Sequence, residues 1–134
     1  MNLEEKKIDG DIVYKGVLTF EKDKVMYPNG RIAMREVIRH PGASAMLAKI
    51  GDKYIIEKQF RYPVGEAIYE IPAGKVDRDE DFEDCALREI EEECGYTVGK
   101  ITHLGDIYTS PGFTDEKIAI FLCENLFKTK QNFD

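Results

Sequence analysis

A single helical segment, in a chain whose other segments have strand patterns, is the feature that most constrains the fold. Acidic residues at Asp77–Asp81 favour the positive end of a helix dipole, so we expect the helix to begin near Asp79. It is expected to end at Cys94, because Gly95 can adopt the left-handed conformation that closes helices. About 100° of turn per residue places four apolar residues on one arc: Ala86, Leu87, Ile90 and Cys94. Such a face packs on a sheet.

The rest of the chain alternates runs of β-favouring residues with turn residues. The predicted strands are Asp11–Phe20, Lys24–Tyr27, Arg31–Arg39, Ala43–Ile50, Tyr54–Phe60, Ile101–Thr109 and Lys117–Glu124. Hairpin turns are expected at Asn29-Gly30 and at Gly51-Asp52. These elements predict an α+β fold in which a mixed β-sheet packs against the helix and an antiparallel β-meander spans residues 1–40. The 134 residues fit one domain, so we expect a single domain over 1–134.

Composition excludes two classes of partner. The formal net charge of -7 repels polyanions, which argues against nucleic-acid binding. No stretch approaches the roughly 20 apolar residues of a membrane span, and Met1–Gly10 lacks the apolar centre of a secretory signal, so we expect a cytoplasmic protein. Cys85, Cys94 and Cys123 form no metal-like pair and are predicted to be buried free thiols.

Three glutamates share an edge of the predicted helix beside its apolar face. Glu89, Glu92 and Glu93 fall within an arc of about 100°. Like charges three or four residues apart destabilise a helix by a few tenths of a kcal/mol per pair. A solvated acidic face is one explanation, and a bound cation is the other. Mg²⁺ prefers oxygen ligands, and it would reverse the mutual repulsion of the carboxylates.

The spacing around these glutamates carries a family resemblance. Residues 74–96 follow the pattern Gly74-x5-Glu80-x7-Arg88-Glu89-Ile90-x-Glu92-Glu93-x-Gly95-Tyr96, which resembles the box of the Nudix hydrolase family at every specified position. The resemblance implies that Glu89, Glu93 and the backbone carbonyl of Ala73 bind Mg²⁺, with Mn²⁺ as an alternative ion. It also implies that Glu92 assists or holds a second ion. Gly74, without a Cβ, lets the chain approach the ion closely.

Arg88 and Glu80 complete the box. Arg88 lies four residues before Glu92 and can orient a carboxylate or contact a phosphate, and we favour the orienting role. Glu80 at the helix start is interpreted as mainly structural, although a bond that orients a metal ligand is also open. The predicted catalytic groups are therefore Glu89, Glu92, Glu93 and Arg88.

Flanking segments resemble the ADP-ribose pyrophosphatase subfamily. The carrying motifs are Arg35-Glu36-Val37, His40-Pro41-Gly42, Gln59-Phe60-Arg61-Tyr62-Pro63, Glu70-Ile71-Pro72-Ala73-Gly74 and a proline, Pro111, fifteen residues beyond Tyr96. The resemblance implies that Arg35 and Glu36 reach the adenosine part of a substrate held by the other subunit of a homodimer. It implies that Arg61 contacts phosphates or ribose, as suits an arginine fork. The implied pocket residues are Ser110, Pro111, Gly112 and Glu116. A plain surface arginine and an ordinary Pro-Gly turn are the structural alternatives.

One departure from the subfamily concerns the general base. There, a glutamate proposed as base lies in an acidic loop after the strand that matches Ile118–Phe127, followed by a C-terminal helix. This chain stops at Gln131–Asp134, about where that loop would begin. Either a tail is lacking or another group is the base, for which Glu92 is the candidate.

These resemblances predict Mg²⁺-dependent hydrolysis of the pyrophosphate of ADP-ribose, or of a related nucleoside diphosphate sugar, to AMP and ribose 5-phosphate. One alternative is a Nudix hydrolase for another nucleotide sugar such as GDP-mannose. The other is a non-catalytic sensor of nucleotide sugars. The intact set of Glu89, Glu92 and Glu93 argues against the sensor, because a site without turnover has no chemical need of all three.

Overall fold

A computed structural model of the chain describes residues 1–129, which divide into two compact units. The meander unit comprises Met1–Pro41 and Tyr108–Lys117. The helix unit comprises Gly42–Ile107 and the described chain from Ile118 on. The single domain predicted over 1–134 stays a prediction. Gln131–Asp134, on which the expectation of a missing acidic loop and helix depends, lie outside the described residues.

Three antiparallel strands form the meander unit's sheet: β1 (Lys6–Lys15), β2 (Thr19–Met26) and β3 (Ile32–Arg39), in that order. Between β2 and β3 the chain turns at Gly30, whose φ of 86° is left-handed and whose N–H donates to the Tyr27 carbonyl at 2.9 Å. The predicted N-terminal meander is thereby confirmed. The prediction of one strand over Asp11–Phe20 is wrong, because the Gly16 N–H bonds to the Leu18 carbonyl at 2.9 Å and turns the chain there.

The helix unit has a mixed sheet around β4 (Ala43–Ile50), as predicted. Its other strands are β5 (Lys53–Tyr54), β8 (Ala73–Lys75), β9 (Tyr96–Tyr108) and β10 (Lys117–Lys128). The order is β5, β4, β10, β9, and β8 pairs antiparallel with β4. β4 and β10 pair in parallel over six residues, from Ala43 opposite Ile118 to Ala48 opposite Cys123. Parallel strands of this kind are covered on both faces, which agrees with the burial of β4.

A separate hairpin joins β6 (Glu57–Arg61) to β7 (Glu66–Glu70). The predicted continuous strand Tyr54–Phe60 is wrong, since β5 ends at Tyr54 and the chain leaves β4 to pair with β7 instead. The sequence feature that indicates this hairpin is its Pro63-Val64-Gly65 turn. In the turn, Gly65 has a φ of 77° and donates its N–H to the Arg61 carbonyl at 2.8 Å.

The helix consists of α1 (Phe82–Glu89) and a π-helical segment, Ile90–Cys94. It begins three residues later than predicted, because Asp79 has a left-handed φ of 64° and the Asp81 side chain caps the first turn by accepting the Asp84 N–H at 2.7 Å. Its end is as predicted: Gly95 has a φ of 78° and closes the helix.

The helix packs against β4 and β8 through an apolar core. Its buried members are Met46, Ala48, Ala86, Ile90, Ala119, Phe121 and Cys123. Ser44 is buried too, and its hydroxyl donates to the Phe82 carbonyl at 2.6 Å, which anchors the start of α1 on β4. Small residues on β4 allow this close approach. Among residues 1–129, no helix has the length and apolar character that crossing a bilayer requires.

Candidate active site

The turn before α1 orients Glu80 toward the helix. The Asp77 N–H donates to Glu80 Oε1 at 3.1 Å, and the Glu80 N–H donates back to the Asp77 carbonyl at 3.1 Å. The left-handed residue Asp79 makes this tight reversal possible. The carboxylate of Glu80 is consequently held beside the first turns of the helix, one side of which carries Arg88.

Arg88 connects the carboxylates of the box. Its Nε and Nη2 donate to the two oxygens of Glu80 at 2.8 and 2.9 Å, a bidentate pair. Its Nη1 donates to Glu89 Oε1 at 2.8 Å and to Glu92 Oε2 at 3.1 Å. The side chain of Arg88 is 25% exposed, and those of Glu80 and Glu89 are 15% and 12% exposed. One half-buried cation therefore orients three of the carboxylates on which the prediction rests.

The electrostatic consequences differ among these groups. The hydrogen bond from Arg88 lowers the pKa of Glu80 to about 2, against an ordinary 4.5. The same bond raises the pKa of the Arg88 guanidinium. At Glu89 burial dominates and raises the pKa, with Glu92 and Glu93 adding repulsion and Arg88 opposing it. Glu80 is thus firmly ionised, whereas Glu89 gains from any additional positive charge.

Gly74 makes room for the Glu89 carboxylate. A Cβ at residue 74 would lie 2.1 Å from Glu89 Cδ and 2.3 Å from Glu89 Oε1, far inside contact distance. Gly74 lies in β8 directly after the exposed Ala73, opposite Ser44 of β4. The absence of a side chain at this position lets the backbone of β8 and the glutamate of α1 meet.

The π-helical segment carries Glu92 and Glu93. Its i→i+5 hydrogen bonding widens the last turn, so the arc calculated for an ideal α-helix does not hold beyond Glu89. The electrostatic neighbours still agree with the prediction, because Glu92 and Glu93 both act on Glu89. Both side chains belong to exposed residues, open to a substrate.

Glu57 is a fourth carboxylate at this edge, and the sequence analysis did not select it. Burial raises its pKa first, and the charges of Glu93, Glu70 and Glu89 raise it further. Glu57 lies in β6 directly opposite Glu70 of β7. Glu57 could not be selected from the sequence, because only the register of this hairpin places it opposite Glu70, at the end nearer the helix.

Mg²⁺ fits the donors of this site. Glu57, Glu89 and Glu93 repel one another, and hard oxygen donors are the ligands that Mg²⁺ prefers. Within residues 1–129, however, no three acidic, histidine or cysteine side chains are already arranged around a common ion position. Glu89 Oε1, the oxygen that accepts from Arg88, is also the one that lies against the backbone of β8 at Gly74.

Arg61, predicted to bind substrate, already has a partner. Its Nε and Nη2 donate to the two oxygens of Glu70 at 2.7 and 3.0 Å, across the β6–β7 hairpin. This bond raises the pKa of the guanidinium. The pair fixes the direction of the arginine, and its remaining N–H groups are the ones that a substrate could use.

A second group of predicted residues lies in the meander unit, around a cavity of about 690 Å³. Its lining includes four of the predicted substrate residues: Arg35, Glu36, Pro111 and Gly112. It also includes residues that the sequence analysis missed: Glu5, Val37, Arg39, Tyr108, Phe113, Thr114 and Asp115. Most of these residues are close in sequence to predicted ones, in β3, at the end of β9 or in the loop before β10. Glu5, which precedes β1, is brought to the cavity by the fold alone.

Backbone and side-chain bonds hold that loop on β3. The Ile38 N–H donates to the Phe113 carbonyl at 2.7 Å, and Thr114 Oγ1 donates to the Ile38 carbonyl at 2.8 Å. Ser110 accepts the N–H groups of the loop through its carbonyl and is a turn residue. Glu116 pairs with His40 at 2.9 Å and accepts from Thr109 Oγ1 at 2.8 Å. Ser110 and Glu116 are not among the lining residues of the cavity, so their predicted role stays a prediction.

Comparison with known proteins finds a matching family, similar sequences and a similar structure. A family model described as NUDIX domain matches residues 38–133. The chain is 47% identical over 127 residues to an ADP-ribose pyrophosphatase of Bacillus subtilis (strain 168), covering 93% of this chain and 69% of that protein. It is 42% identical over 131 residues to a methanol dehydrogenase activator of Bacillus methanolicus, covering 96% and 70%. A crystal structure of an ADP compounds hydrolase matches all of this chain and 75% of its own with a TM-score of 0.86, and at 20% identity it shows the shared fold.

Proposed function

This chain belongs to the Nudix family and is a Nudix pyrophosphohydrolase; on that premise we propose that it hydrolyses ADP-ribose, or a related nucleoside diphosphate sugar, to AMP and ribose 5-phosphate. The observation that carries the proposal is the set of carboxylates joined by Arg88 on the box helix. The 47% identity to an ADP-ribose pyrophosphatase supports the choice of substrate.

The proposed cofactor is Mg²⁺, with Mn²⁺ as an alternative ion. Glu89, Glu93 and the backbone carbonyl of Ala73 would hold it, and Glu92 would assist or hold a second ion. When bound, the ion supplies positive charge to the diphosphate and polarises water. The raised pKa of Glu89 supports this assignment, because a cation relieves the cost of ionising a buried carboxylate.

Residues of the protein orient the carboxylates and accept the proton of the attacking water. Arg88 orients Glu89 and Glu92 from one side, and Glu80 in turn fixes Arg88. Water attacks phosphorus, the anhydride P–O bond breaks, and the sugar phosphate leaves with the bridging oxygen. Glu92 is the candidate that accepts the water's proton, since it is exposed and hydrogen-bonded only at one oxygen by Arg88.

Substrate binding is proposed for the meander unit's cavity and for Arg61. Arg35, Glu36, Pro111 and Gly112 share the cavity, which is large enough for a nucleoside. Following the resemblance, Arg35 and Glu36 would contact the adenosine of a substrate held by the other subunit of a homodimer. Ser110 and Glu116 would support the loop that lines the cavity, and Arg61 would contact phosphate or ribose.

A homodimer through the meander is supported by its exposed apolar residues. Every residue of β1 is exposed, and the strand and the turn after it present six large apolar side chains to solvent: Ile8, Ile12, Val13, Tyr14, Val17 and Leu18. Exposed apolar residues concentrated in one segment support an interface there. Light scattering of the purified protein tests the proposal, which a monomer at assay concentration would contradict. The proposed location is the cytoplasm, supported by the free thiols of Cys85, Cys94 and Cys123.

The decisive experiment is AMP release from ADP-ribose with and without Mg²⁺, beside GDP-mannose. We expect metal-dependent AMP production, and a decrease in turnover of about two orders of magnitude or more in Glu93→Gln, because the variant loses an anionic metal ligand. Glu83→Gln is the matched control, an exposed glutamate of the same helix, and should retain full activity. Saturable ADP-ribose binding without turnover would point to the sensor, and preference for GDP-mannose to the other substrate.

A further inference from the structure

Arg35 is held at the edge of the meander unit's cavity by three acceptors. Its Nε donates to Glu5 Oε1 at 2.8 Å, and its Nη1 donates to the Met34 carbonyl at 3.0 Å. Its Nη2 donates to the hydroxyl of Tyr27. Each guanidinium nitrogen thus has a partner in a different direction. An arginine on an exposed strand otherwise has considerable rotamer freedom, so this arrangement selects one orientation.

Tyr27 is itself fixed by the turn that follows it. Its N–H donates to the Arg31 carbonyl at 2.8 Å, and its carbonyl accepts the Gly30 N–H at 2.9 Å. The guanidinium of Arg31 lies over its ring at 4.4 Å from the centroid, and that of Arg35 lies at 5.6 Å. The ring therefore lies close to two cations, and its hydroxyl is directed at Arg35.

The electrostatics of the phenol agree with this geometry. The hydrogen bond with Arg35 lowers the pKa of Tyr27, and the bond with Arg31 lowers it further. In return, Glu5 and then Tyr27 raise the pKa of Arg35. The titration of Tyr27 therefore reports whether its contact with Arg35 exists in solution.

Tyr27 differs from Glu5 in one respect that decides its role. Glu5 lines the cavity with Arg35, so it can touch a bound ligand directly. Tyr27 is not among the residues that line this cavity, and lies instead beside a smaller recess with Asn2, Glu4 and Pro28. The hydrogen bond to Arg35 is the direct contact through which Tyr27 would act on a ligand in the larger cavity.

We propose that Tyr27 is a positioning residue that holds Arg35 in its binding orientation for the nucleoside part of the substrate. This inference rests on the proposed function, since the contact of Arg35 with substrate is part of it. Ordering a long side chain on binding costs roughly 0.5 to 1.5 kcal/mol, which corresponds to about two- to twelvefold in affinity. The phenol lowers this cost because, together with Glu5 and the Met34 carbonyl, it orders Arg35 before the substrate arrives.

The test is a double-mutant cycle with Tyr27→Phe, which keeps the ring and removes the hydroxyl. We expect KM for ADP-ribose to rise about three- to tenfold, with kcat within twofold of wild type. Arg35→Ala should raise KM further, and adding Tyr27→Phe to Arg35→Ala should change nothing more. Tyr54→Phe, which changes an exposed tyrosine of β5 in the helix unit, is the matched control. Equal effects of Tyr27→Phe in both backgrounds would overturn the proposal.

A spectroscopic measurement separates this proposal from the proposed function. The difference between wild type and Tyr27→Phe in phenolate absorbance isolates the titration of Tyr27, which should shift to higher pH in Arg35→Ala. An unchanged titration would show that the contact is absent and would overturn the inference. Calorimetric affinity for ADP-ribose in the absence of metal completes the cycle without turnover. Binding of ADP-ribose without hydrolysis in the presence of Mg²⁺ would refute the proposed reaction alone, whereas unaltered affinity in Tyr27→Phe would refute the positioning role alone.

Discussion

Arg88 in the helix unit and Arg35 in the meander unit are both held by several acceptors, but they differ in how many of these acceptors are carboxylates. Arg88 contacts four carboxylates, those of Glu80, Glu89, Glu92 and Asp77, and also donates to the Lys75 carbonyl at 3.2 Å. Arg35 contacts one carboxylate, one phenol and one backbone carbonyl. Its side chain is 36% exposed, against 25% for Arg88. On the proposed function, Arg88 would orient the catalytic carboxylates, whereas Arg35 would itself be oriented to bind substrate.

This difference predicts opposite kinetic signatures, and the largest effect is expected from Arg88→Ala. Without the guanidinium, Glu89 and Glu92 lose their common partner and repel each other, so kcat should fall about a hundredfold, as misplaced catalytic groups typically cause. KM should stay within about threefold of wild type. Steady-state kinetics with saturating Mg²⁺ provide the measurement.

Arg78→Ala is the matched control for Arg88→Ala, because this arginine of the preceding turn has a side chain that is 96% exposed. Its kinetics should equal those of wild type. If Arg88→Ala raised KM and spared kcat, the two arginines would have the same kind of role, and the contrast between them would be lost.

A second test of the difference between the two arginines is Gly74→Ala. This substitution displaces a carboxylate of the site but changes neither arginine. The new Cβ would lie 2.1 Å from Glu89 Cδ, so the carboxylate has to move away from β8. We expect kcat to fall about tenfold, as a smaller displacement than the loss of Arg88 would produce. The backbone of Gly74 is not left-handed, so the melting temperature should change little.

The Gly74→Ala result can be assigned to Glu89 by combining it with Glu89→Gln. If the alanine acts only by displacing this carboxylate, the double variant should be no slower than Glu89→Gln alone. Independent effects of the two substitutions would show that residue 74 acts on the site by another route, such as the position of the Ala73 carbonyl.

Local signals predicted the helix end at Gly95, the meander turn at Asn29-Gly30 and the box glutamates. Each depends on residues that are neighbours in sequence or one helical turn apart, so spacing alone is sufficient. The family and the fold class followed from the same spacing and are confirmed by the comparisons. The roles of the individual site residues stay predictions.

Features that depend on contacts between distant segments were missed. Glu57 meets Glu89 and Glu93 only because β6 pairs with β7 beside the helix, and Arg61 meets Glu70 for the same reason. The π-helical segment, too, has no local residue pattern that predicts it. Register and tertiary packing decide these contacts, and a single sequence does not determine either by periodicity.

The smallest expected effect concerns stability in acid and tests how strongly Arg88 holds its first carboxylate. Glu80 has a pKa of about 2 in the folded protein against an ordinary 4.5, so its pairing stabilises the fold fully above about pH 4.5. That contribution is lost as the pH falls from about 4.5 to about 2. Glu89 has a raised pKa, so its contribution has the opposite sign and decreases as the pH rises.

Glu80→Gln removes the ion pair while it keeps the size of the side chain. We expect its melting temperature to lie below wild type by a few degrees at pH 7. The difference should shrink as the pH approaches 3, because the unfolded chain takes up a proton at Glu80 near the ordinary pKa of 4.5 and the stability that the folded pair contributes decreases. Glu83→Gln, an exposed change on the same turn of helix, should follow the wild-type curve at every pH. If the melting temperature of Glu80→Gln stayed below wild type by the same amount at every pH, packing rather than charge would hold Glu80 against Arg88. The contrast with Arg35, which depends on the charged partners of Arg88, would then be weaker.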